Sequence, residues 1–166
     1  MDSEVLDMLY RKYRARAYAY CISLCGDPEL AQDIVADAFV KAYLSLPDAV
    51  PSFLYWLLRV CKNLWYDHLR RNRQEADLDS IPWLTDGETP ELRFLQNERS
   101  RCLWQAMGEL PAPDREMVIL HYFSGLSLLE IARLTGKSYD AVRQRITRLR
   151  QTLKKRLEEQ GYGYEL

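Results

Sequence analysis

Long apolar runs are absent from the 166-residue sequence. No apolar stretch exceeds six residues, and the stretch Phe53–Leu58 ends at Arg59, whereas a membrane-spanning helix needs about 20 apolar residues. The N-terminal residues MDSEVLDMLYRKYR place acids before the first bases and contain no apolar core, so no secretory signal is indicated. We therefore expect a cytoplasmic protein without membrane insertion.

Cysteine is scarce, and no two cysteines have the CxxC spacing of a metal or redox site. The four cysteines are Cys21, Cys25, Cys61 and Cys102. Cys21 and Cys25 are four residues apart and could share a helix face. His68 and His121 are the only histidines that could complete a zinc or thiol-sensor site there. The alternative is that the thiols are small buried side chains, and we expect neither a metal nor a cofactor.

Glycine and proline are also few, seven of each, and they separate segments in which apolar residues recur every three or four positions. That period is typical of helices, and Asp27 followed by Pro28 has the residue types preferred where a helix begins. The predicted helices span residues 4–25, 28–46, 52–73, 91–109, 113–123, 127–134 and 139–160. No segment shows the alternation of a strand, so the predicted fold class is all-α.

An acidic segment without a sustained period, residues 74–90, contains Pro82, Gly87 and Pro90 and is predicted to be a flexible linker. It separates two predicted small helical domains, residues 1–73 and residues 91–166. Domains of this size bury only about 60% of their unfolded surface. Docking on a larger partner would therefore stabilise both.

Opposite charges are separated along the chain, although the formal net charge is only -1. Residues 59–73 carry a net charge of +4 and residues 133–156 one of +8, with residues 74–100 at -5 between them. Because salt screens charges beyond about 8 to 10 Å, a polyanion responds to each basic patch locally. The two basic segments are candidate nucleic-acid surfaces, and an ordinary solvated helix face is the alternative.

The C-terminal segment has the pattern of a helix-turn-helix, in which Gly136-Lys137-Ser138 joins a short helix to a basic one. A predicted capping box, Ser127 and Glu130, begins the short helix. On the last helix the predicted apolar stripe is Val142, Ile146, Leu149, Leu153 and Leu157. The opposite side carries side chains that can pair with base edges, namely Gln144, Thr147, Arg148 and Gln151. Nearby arginines suited to phosphates are Arg143, Arg145 and Arg150.

The helix over residues 52–73 has an aromatic and basic side. Its members are Trp56, Arg59, Asn63, Tyr66, Arg70 and Arg73. Aromatic rings beside arginines are typical of surfaces that bind single strands, where a stacked base contributes about 1 to 3 kcal/mol. The predicted buried face is Phe53, Leu57, Val60, Cys61 and Leu64. Trp56 and Tyr66 could instead belong to the core.

The second helix exposes Asp33, Asp37 and Lys41 at steps of four. Acidic side chains do not favour DNA. This face is either an ordinary solvated surface or a docking surface for a basic protein partner.

Four segments together resemble the extracytoplasmic-function type sigma factors, the small two-domain branch of the bacterial sigma-70 family. They are AQDIVADAFVKAYLSL, FLYWLLRVCKNLWYDHLRR, LPAPDREMVILHYFSGLSLLEIARLTGKS and YDAVRQRITRLRQTLKK. The resemblance implies an RNA polymerase sigma factor that directs promoter recognition and transcription initiation and is not itself an enzyme. It also implies that the partners are core RNA polymerase and promoter DNA, and anti-sigma factors are frequent in the family.

The resemblance also implies residue roles. The segment Asp33–Leu44 would bind the beta-prime coiled coil of the polymerase, and the helix Pro113–Phe123 would meet the beta-flap. The implied polymerase-binding residues are Asp33, Asp37, Phe39 and Lys41. Asn63 and the loop before its helix would hold a base flipped out of the minus-10 element. Together with the aromatic and basic side of that helix, the predicted minus-10 residues are Trp56, Arg59, Asn63, Tyr66, Arg70 and Arg71. The implied minus-35 residues are Arg143, Gln144, Arg145, Thr147 and Arg148.

Two segments depart from the family pattern. The loop Pro47–Ser52 is shorter than the usual pocket loop, which leaves the identity of the minus-10 base open. Residues 140–145 are DAVRQR, where members often have Gly-Thr-Val-Lys-Ser-Arg. Gln144 in place of serine suggests an altered minus-35 preference.

Two other functions are alternatives. A conventional helix-turn-helix regulator would bind duplex operators without polymerase and would need neither the single-strand surface nor the acidic face. A nucleophilic enzyme could use Cys61, Asp67 and His68. On one helix, however, Asp67 points about 100° away from the other two, which does not fit a catalytic triad.

Overall fold

The computed structural model of the chain describes residues 2–47, 50, 52–72 and 98–161. Every regular element in these ranges is helical, so the predicted all-α class is confirmed. The elements are α1 (Ser3–Cys25), α2 (Pro28–Ser45), α3 (Phe53–Arg71), α4 (Glu98–Met107), α5 (Ala112–Val118), a π-helical turn (Ile119–Phe123), α6 (Leu128–Thr135) and α7 (Tyr139–Glu159). The predicted linker, residues 74–90, and residues 91–97 lie outside the described ranges.

Side-chain caps determine where the N-terminal helices begin. The Asp27 carboxylate accepts hydrogen bonds from the backbone N–H groups of Glu29 and Leu30, at 3.0 and 3.3 Å, at the start of α2. The Ser52 hydroxyl accepts one from the N–H of Tyr55 at the start of α3, at 3.2 Å. Each cap satisfies a backbone donor that the first helical turn leaves unpaired.

The chain divides into two compact units, Met1–Pro82 and Trp83–Leu166. In the first unit α1, α2 and α3 pack against one another. Alanines at the contacts let the helices approach closely, because Ala17, Ala31, Ala38 and Ala42 are fully or almost fully buried. Tightly packed small side chains leave little room for substitution in this core.

The buried face of α3 differs from the predicted one. Phe53, Val60 and Leu64 are only partly buried. The residues that form the core face are Leu54, Leu57, Leu58, Cys61, Trp65 and Leu69. Since successive residues of an α-helix are 100° apart around its axis, the centre of this face lies about 80° around the helix from the centre of the predicted face. The reason is that both α1 and α2 pack on α3, and the arc between two neighbours determines what is buried.

In the second unit α6 begins with the predicted cap and ends at a glycine. Ser127 and Glu130 form the capping box, each side chain accepting the other residue's backbone N–H at 3.1 Å. Gly136 ends α6 with a φ of 72°, a left-handed conformation that glycine adopts readily. The buried residues of α7 are Val142, Ile146, Leu149, Leu153 and Leu157, which confirms the predicted stripe.

The helix predicted over residues 113–123 does not remain α-helical. It is α5 followed by the π-helical turn, in which the N–H of Ser124 donates to the carbonyl of Ile119 at 2.8 Å. A π-turn accommodates one extra residue and occurs often at functional sites. It places His121 and Tyr122 at the edge of the core, where both are partly buried.

The cysteines are free thiols that contribute to packing. Burial raises the pKa of Cys21 well above its ordinary value and that of Cys25 to about 11, so both are protonated near neutral pH and are weak ligands and nucleophiles. Among the residues with described positions, no three His, Cys, Asp or Glu side chains are placed to hold a metal ion. None of the helices described is long and apolar enough to cross a membrane.

Candidate nucleic-acid interface

The exposed side of α7 carries four of the five residues predicted to contact the minus-35 element. Ser138 caps the helix by accepting the N–H of Ala141 at 3.1 Å, which fixes where the exposed side begins. Arg143, Gln144, Thr147 and Arg148 are all exposed, opposite the buried stripe. Since the stripe fixes the rotation of α7, these four side chains form one outward surface.

The side chains on that surface differ in how far they are already engaged. The Thr147 hydroxyl donates to the carbonyl of Arg143 at 2.9 Å, so its methyl group and lone pairs remain for a ligand. Arg143 lies 3.8 Å from the carboxylate of Asp140, an exposed and therefore weak ion pair. Gln144 and Arg148 make no side-chain hydrogen bond within the described ranges, so they are the side chains most available to base edges.

Arg145 differs from its neighbours because it points to α5. Its Nε donates to the Asp114 carboxylate at 2.5 Å, and the side chains of Arg145 and Asp114 are 36% and 13% exposed. Arg145 was predicted to contact the minus-35 element. In this structure its guanidinium joins two helices of the same unit, and this pair is invisible in sequence patterns because the partners are 31 positions apart.

The aromatic and basic residues of α3 lie together on the side opposite the rotated core face. Arg59, Asn63, Tyr66, Arg70 and Arg71 are exposed. Trp56 is partly buried and stacks on Phe53 with ring centroids 6.0 Å apart, so one side of its ring belongs to the protein. Arg70 is paired with Asp67. Arg73 lies outside the described residues.

The acidic face of α2 is exposed at Asp33, Asp37 and Lys41. Phe39, predicted to bind polymerase, is instead 5% exposed, because it packs against Tyr10 and Phe53 at centroid distances of 5.0 and 6.1 Å. Its ring therefore offers little surface to a partner in this structure.

An apolar groove between α1 and α2 lies above Phe39. The groove is open to solvent, has a volume of about 400 Å³ and is lined by Leu6, Tyr10, Ala36, Phe39, Val40, Tyr43 and Leu44. Val40, Tyr43 and Leu44 are 55%, 48% and 73% exposed. Sequence reasoning missed this surface. The available signal was that these three residues have helical i, i+3, i+4 spacing outside the core stripe.

The residues of the nucleophilic alternative do not form a catalytic site. Cys61 is fully buried. Asp67 is paired with Arg70, and His68 stacks on Trp65 at 5.8 Å and contacts the Asn72 amide at 3.2 Å. The three side chains therefore have separate partners.

Comparison with known proteins matches a segment of each unit to one family. Residues 9–75 match sigma-70 region 2, and residues 100–153 match sigma-70 region 4. The fold and the two matched regions define a sigma-70 type transcription factor.

The chain is 31% identical over 170 residues to the RNA polymerase sigma-H factor of Pseudomonas aeruginosa, covering 95% of this chain and 88% of that protein. It is 29% identical over 160 residues to the ECF RNA polymerase sigma factor SigW of Bacillus subtilis, with 89% and 86% covered. The chain belongs to the extracytoplasmic-function (ECF) group of the sigma-70 family. It is an RNA polymerase sigma factor that directs promoter recognition and transcription initiation.

The similar solved structures include two complexes. The sigma factor RpoE of Bartonella quintana, solved with the anti-sigma factor NepR, has a TM-score of 0.69 at 24% identity, covering 95% of this chain and 98% of that one. This likeness shows a shared fold. CnrH, solved with the cytosolic domain of CnrY, has a TM-score of 0.60 at 25% identity, with 95% and 90% covered.

Proposed function

We propose that this sigma factor divides promoter recognition between two helical domains, residues 1–73 and 91–166, joined by a linker over residues 74–90. The C-terminal domain reads the minus-35 element as duplex, and the N-terminal domain binds core RNA polymerase and the separated strand of the minus-10 element. The observation that carries the proposal is the exposed α3 surface with Arg59, Asn63 and Tyr66. A protein that binds only duplex DNA has no use for it.

On α7, Arg148 and Gln144 would read base edges. In the major groove, arginine forms bidentate hydrogen bonds with guanine, and glutamine forms them with adenine. Thr147 would contact a base or a thymine methyl group, and Arg143 would bind a phosphate. We assign Arg145 to holding α7 on α5 through Asp114, so that its effect on DNA binding is indirect.

On α3, the ring of Tyr66 and the open face of Trp56 would stack on unpaired bases, and Asn63 would hydrogen-bond the edge of a flipped base. Arg59, Arg70 and Arg71 would neutralise phosphates of the same strand. Flipping a base costs a few kcal/mol, and one or two stacked rings at about 1 to 3 kcal/mol each are enough to offset it.

Core RNA polymerase would dock on α2. Asp33 and Asp37 present negative charge to a basic partner, and the groove beside them adds apolar area with Val40 and Leu44. We propose the beta-prime coiled coil as the element bound there, and the beta-flap as the element that meets α5. An anti-sigma factor is a third candidate partner, since both solved relatives above were solved with a second protein.

The proposed role is binding and not catalysis, because the polymerase carries out RNA synthesis. We also propose a cytoplasmic location, where the polymerase acts. Run-off transcription with purified core polymerase on a randomised promoter library tests the proposal. We expect transcripts from a subset that shares two spaced elements, together with co-elution of the chain and core polymerase. A chain that binds duplex DNA alone, yet neither co-elutes with polymerase nor yields a transcript, would be a conventional regulator.

A further inference from the structure

Tyr122 and Arg150 meet at the surface of the C-terminal unit. Tyr122 lies on the π-helical turn and Arg150 on α7, 28 positions later, and the Arg150 Nε donates to the Tyr122 hydroxyl oxygen at 3.0 Å. Arg150 is exposed. Among the described residues no carboxylate lies within ion-pair distance of it, so its charge is not neutralised, unlike that of Arg145.

The hydrogen bond leaves other donors of the pair uncommitted. Nε has a single N–H and uses it on Tyr122, so the two terminal amino groups of the guanidinium remain for a ligand. The Tyr122 oxygen accepts that bond, which leaves its own O–H proton available to donate. His121 packs edge-on against the Tyr122 ring at 4.7 Å and limits its movement. Several donors around one positive charge suit a phosphate oxygen pair.

The position of Arg150 on α7 fits contact with the DNA backbone. Arg143 and Arg150 are seven residues apart, so they lie on nearly the same side of the helix and about 10 Å apart along its axis. The base-reading residues Gln144, Thr147 and Arg148 lie between them in sequence. Phosphate contacts at both ends of such a row determine how a helix sits in the groove.

We propose that Tyr122 and Arg150 form a clamp for one backbone phosphate of the duplex that α7 reads. Tyr122 has two functions in this clamp: it fixes the direction of the guanidinium and donates its own hydrogen bond to the phosphate. The inference rests on the proposed function, because it assumes that α7 binds duplex DNA. It adds a residue outside the predicted minus-35 set, carried by the π-helical turn.

The test uses the full chain assembled with core RNA polymerase and a duplex selected by that holoenzyme from a randomised library. Phosphates around the upstream element are replaced one at a time by uncharged methylphosphonates. For each protein variant, the affinity for the neutralised duplex is divided by its affinity for the unmodified duplex. This ratio does not depend on the fraction of folded protein, so a destabilised variant remains informative.

We expect one phosphate whose neutralisation weakens the wild-type complex but has little effect on the Arg150→Ala complex. In Tyr122→Phe, neutralising the same phosphate should weaken binding less than it does in the wild type, and the unmodified duplex should bind about three- to tenfold more weakly. Adding Tyr122→Phe to Arg150→Ala should change affinity little. Arg150→Ala should also lower the salt slope of binding by about one.

Arg156→Gln is the matched control. It removes one positive charge from the same helix, but Arg156 is bound to the carbonyl of Ala106 at 3.2 Å and lies 3.5 Å from Glu109. In this variant, neutralising the identified phosphate should weaken binding as much as it does in the wild type.

Three results would overturn the clamp: no phosphate whose penalty depends on Arg150, an unchanged penalty in Tyr122→Phe, or losses at different phosphates in the two variants. Failure of the proposed function is recognised separately, because the wild-type chain would then not assemble with core polymerase or bind the duplex at all.

Discussion

Replacing Arg145 by alanine is expected to lower the stability of the C-terminal unit more than it alters the reading of the minus-35 element. Arg145 lies on the DNA-reading helix, but its Nε donates to Asp114 of α5 at 2.5 Å. Removing the guanidinium leaves a carboxylate that is only 13% exposed without this partner. An unpaired, largely buried charge is costly.

The size of the effect follows from the exposure of the two side chains. A hydrogen bond to a charged group contributes about 1.5 to 3 kcal/mol. Arg145 is 36% exposed, so solvent screening reduces this value, and we expect a loss of about 1 to 2 kcal/mol. For a unit of this size, each kcal/mol lowers the melting temperature by about 4 to 8 °C.

Hydrogen exchange of the α7 amides, measured in the full chain across a urea series, reports the stability of this unit separately. Arg145→Ala and Asp114→Ala should each lower it, and the double variant should lose less than the sum of the two, because both remove the same interaction. Arg148→Ala is the control, since its side chain is exposed and should affect stability by less than about 0.5 kcal/mol.

The reasoning would be refuted by one pattern. If Arg145→Ala leaves exchange unchanged but loses discrimination between selected and altered minus-35 sequences as strongly as Arg148→Ala, then Arg145 leaves Asp114 to read a base.

Four further outcomes are expected. Arg148→Ala should cost about 1 to 3 kcal/mol on the selected upstream element and relax its sequence preference in competition binding; equal weakening on all sequences would make it a phosphate contact. Asn63→Ala should reduce promoter melting more than closed-complex formation, and unchanged permanganate reactivity of the downstream thymines would exclude the pocket role. Asp33→Lys with Asp37→Lys should weaken retention of core polymerase on immobilised protein, and undiminished retention would exclude this face. Burial and the nearby charge of Arg150 lower the pKa of His121 below its ordinary value of 6.5. As the pH falls below 6.5, the unfolded chain therefore binds a proton before the folded chain does, and the stability that is fully present above this pH decreases. In His121→Gln, the urea midpoints at pH 7.5 and 5.5 should differ less than in the wild type.

Helix ends and the core stripe of α7 could be predicted because they depend on residues close in sequence. Asp27 caps α2, and Ser127 with Glu130 caps α6, through bonds that span two or three positions. The buried side of α7 follows from one apolar repeat, since residues three and four apart share a helix face. These features need no knowledge of which helices are neighbours.

The rotation of α3 could not be predicted in the same way. Its sequence is apolar or aromatic over most of its circumference, so several stripes were compatible with the pattern. Two packing partners, α1 and α2, select the face with Leu54, Leu58 and Trp65. The exposed side with Arg59 and Asn63 was nonetheless predicted correctly. Charged and amide side chains are seldom fully buried, and α3 has few of them, so they leave little choice for the exposed side.

Side-chain pairs between distant segments were invisible in the sequence, and they change the meaning of its charge. The predicted DNA surface rested on a net charge of +8 over residues 133–156. Arg145 and Arg156 instead form ion pairs with Asp114 and Glu109 of the same unit. The phosphate-binding capacity of α7 is therefore smaller than its charge implies. It depends on which arginines point outward, and the buried stripe that rotates α7 determines that.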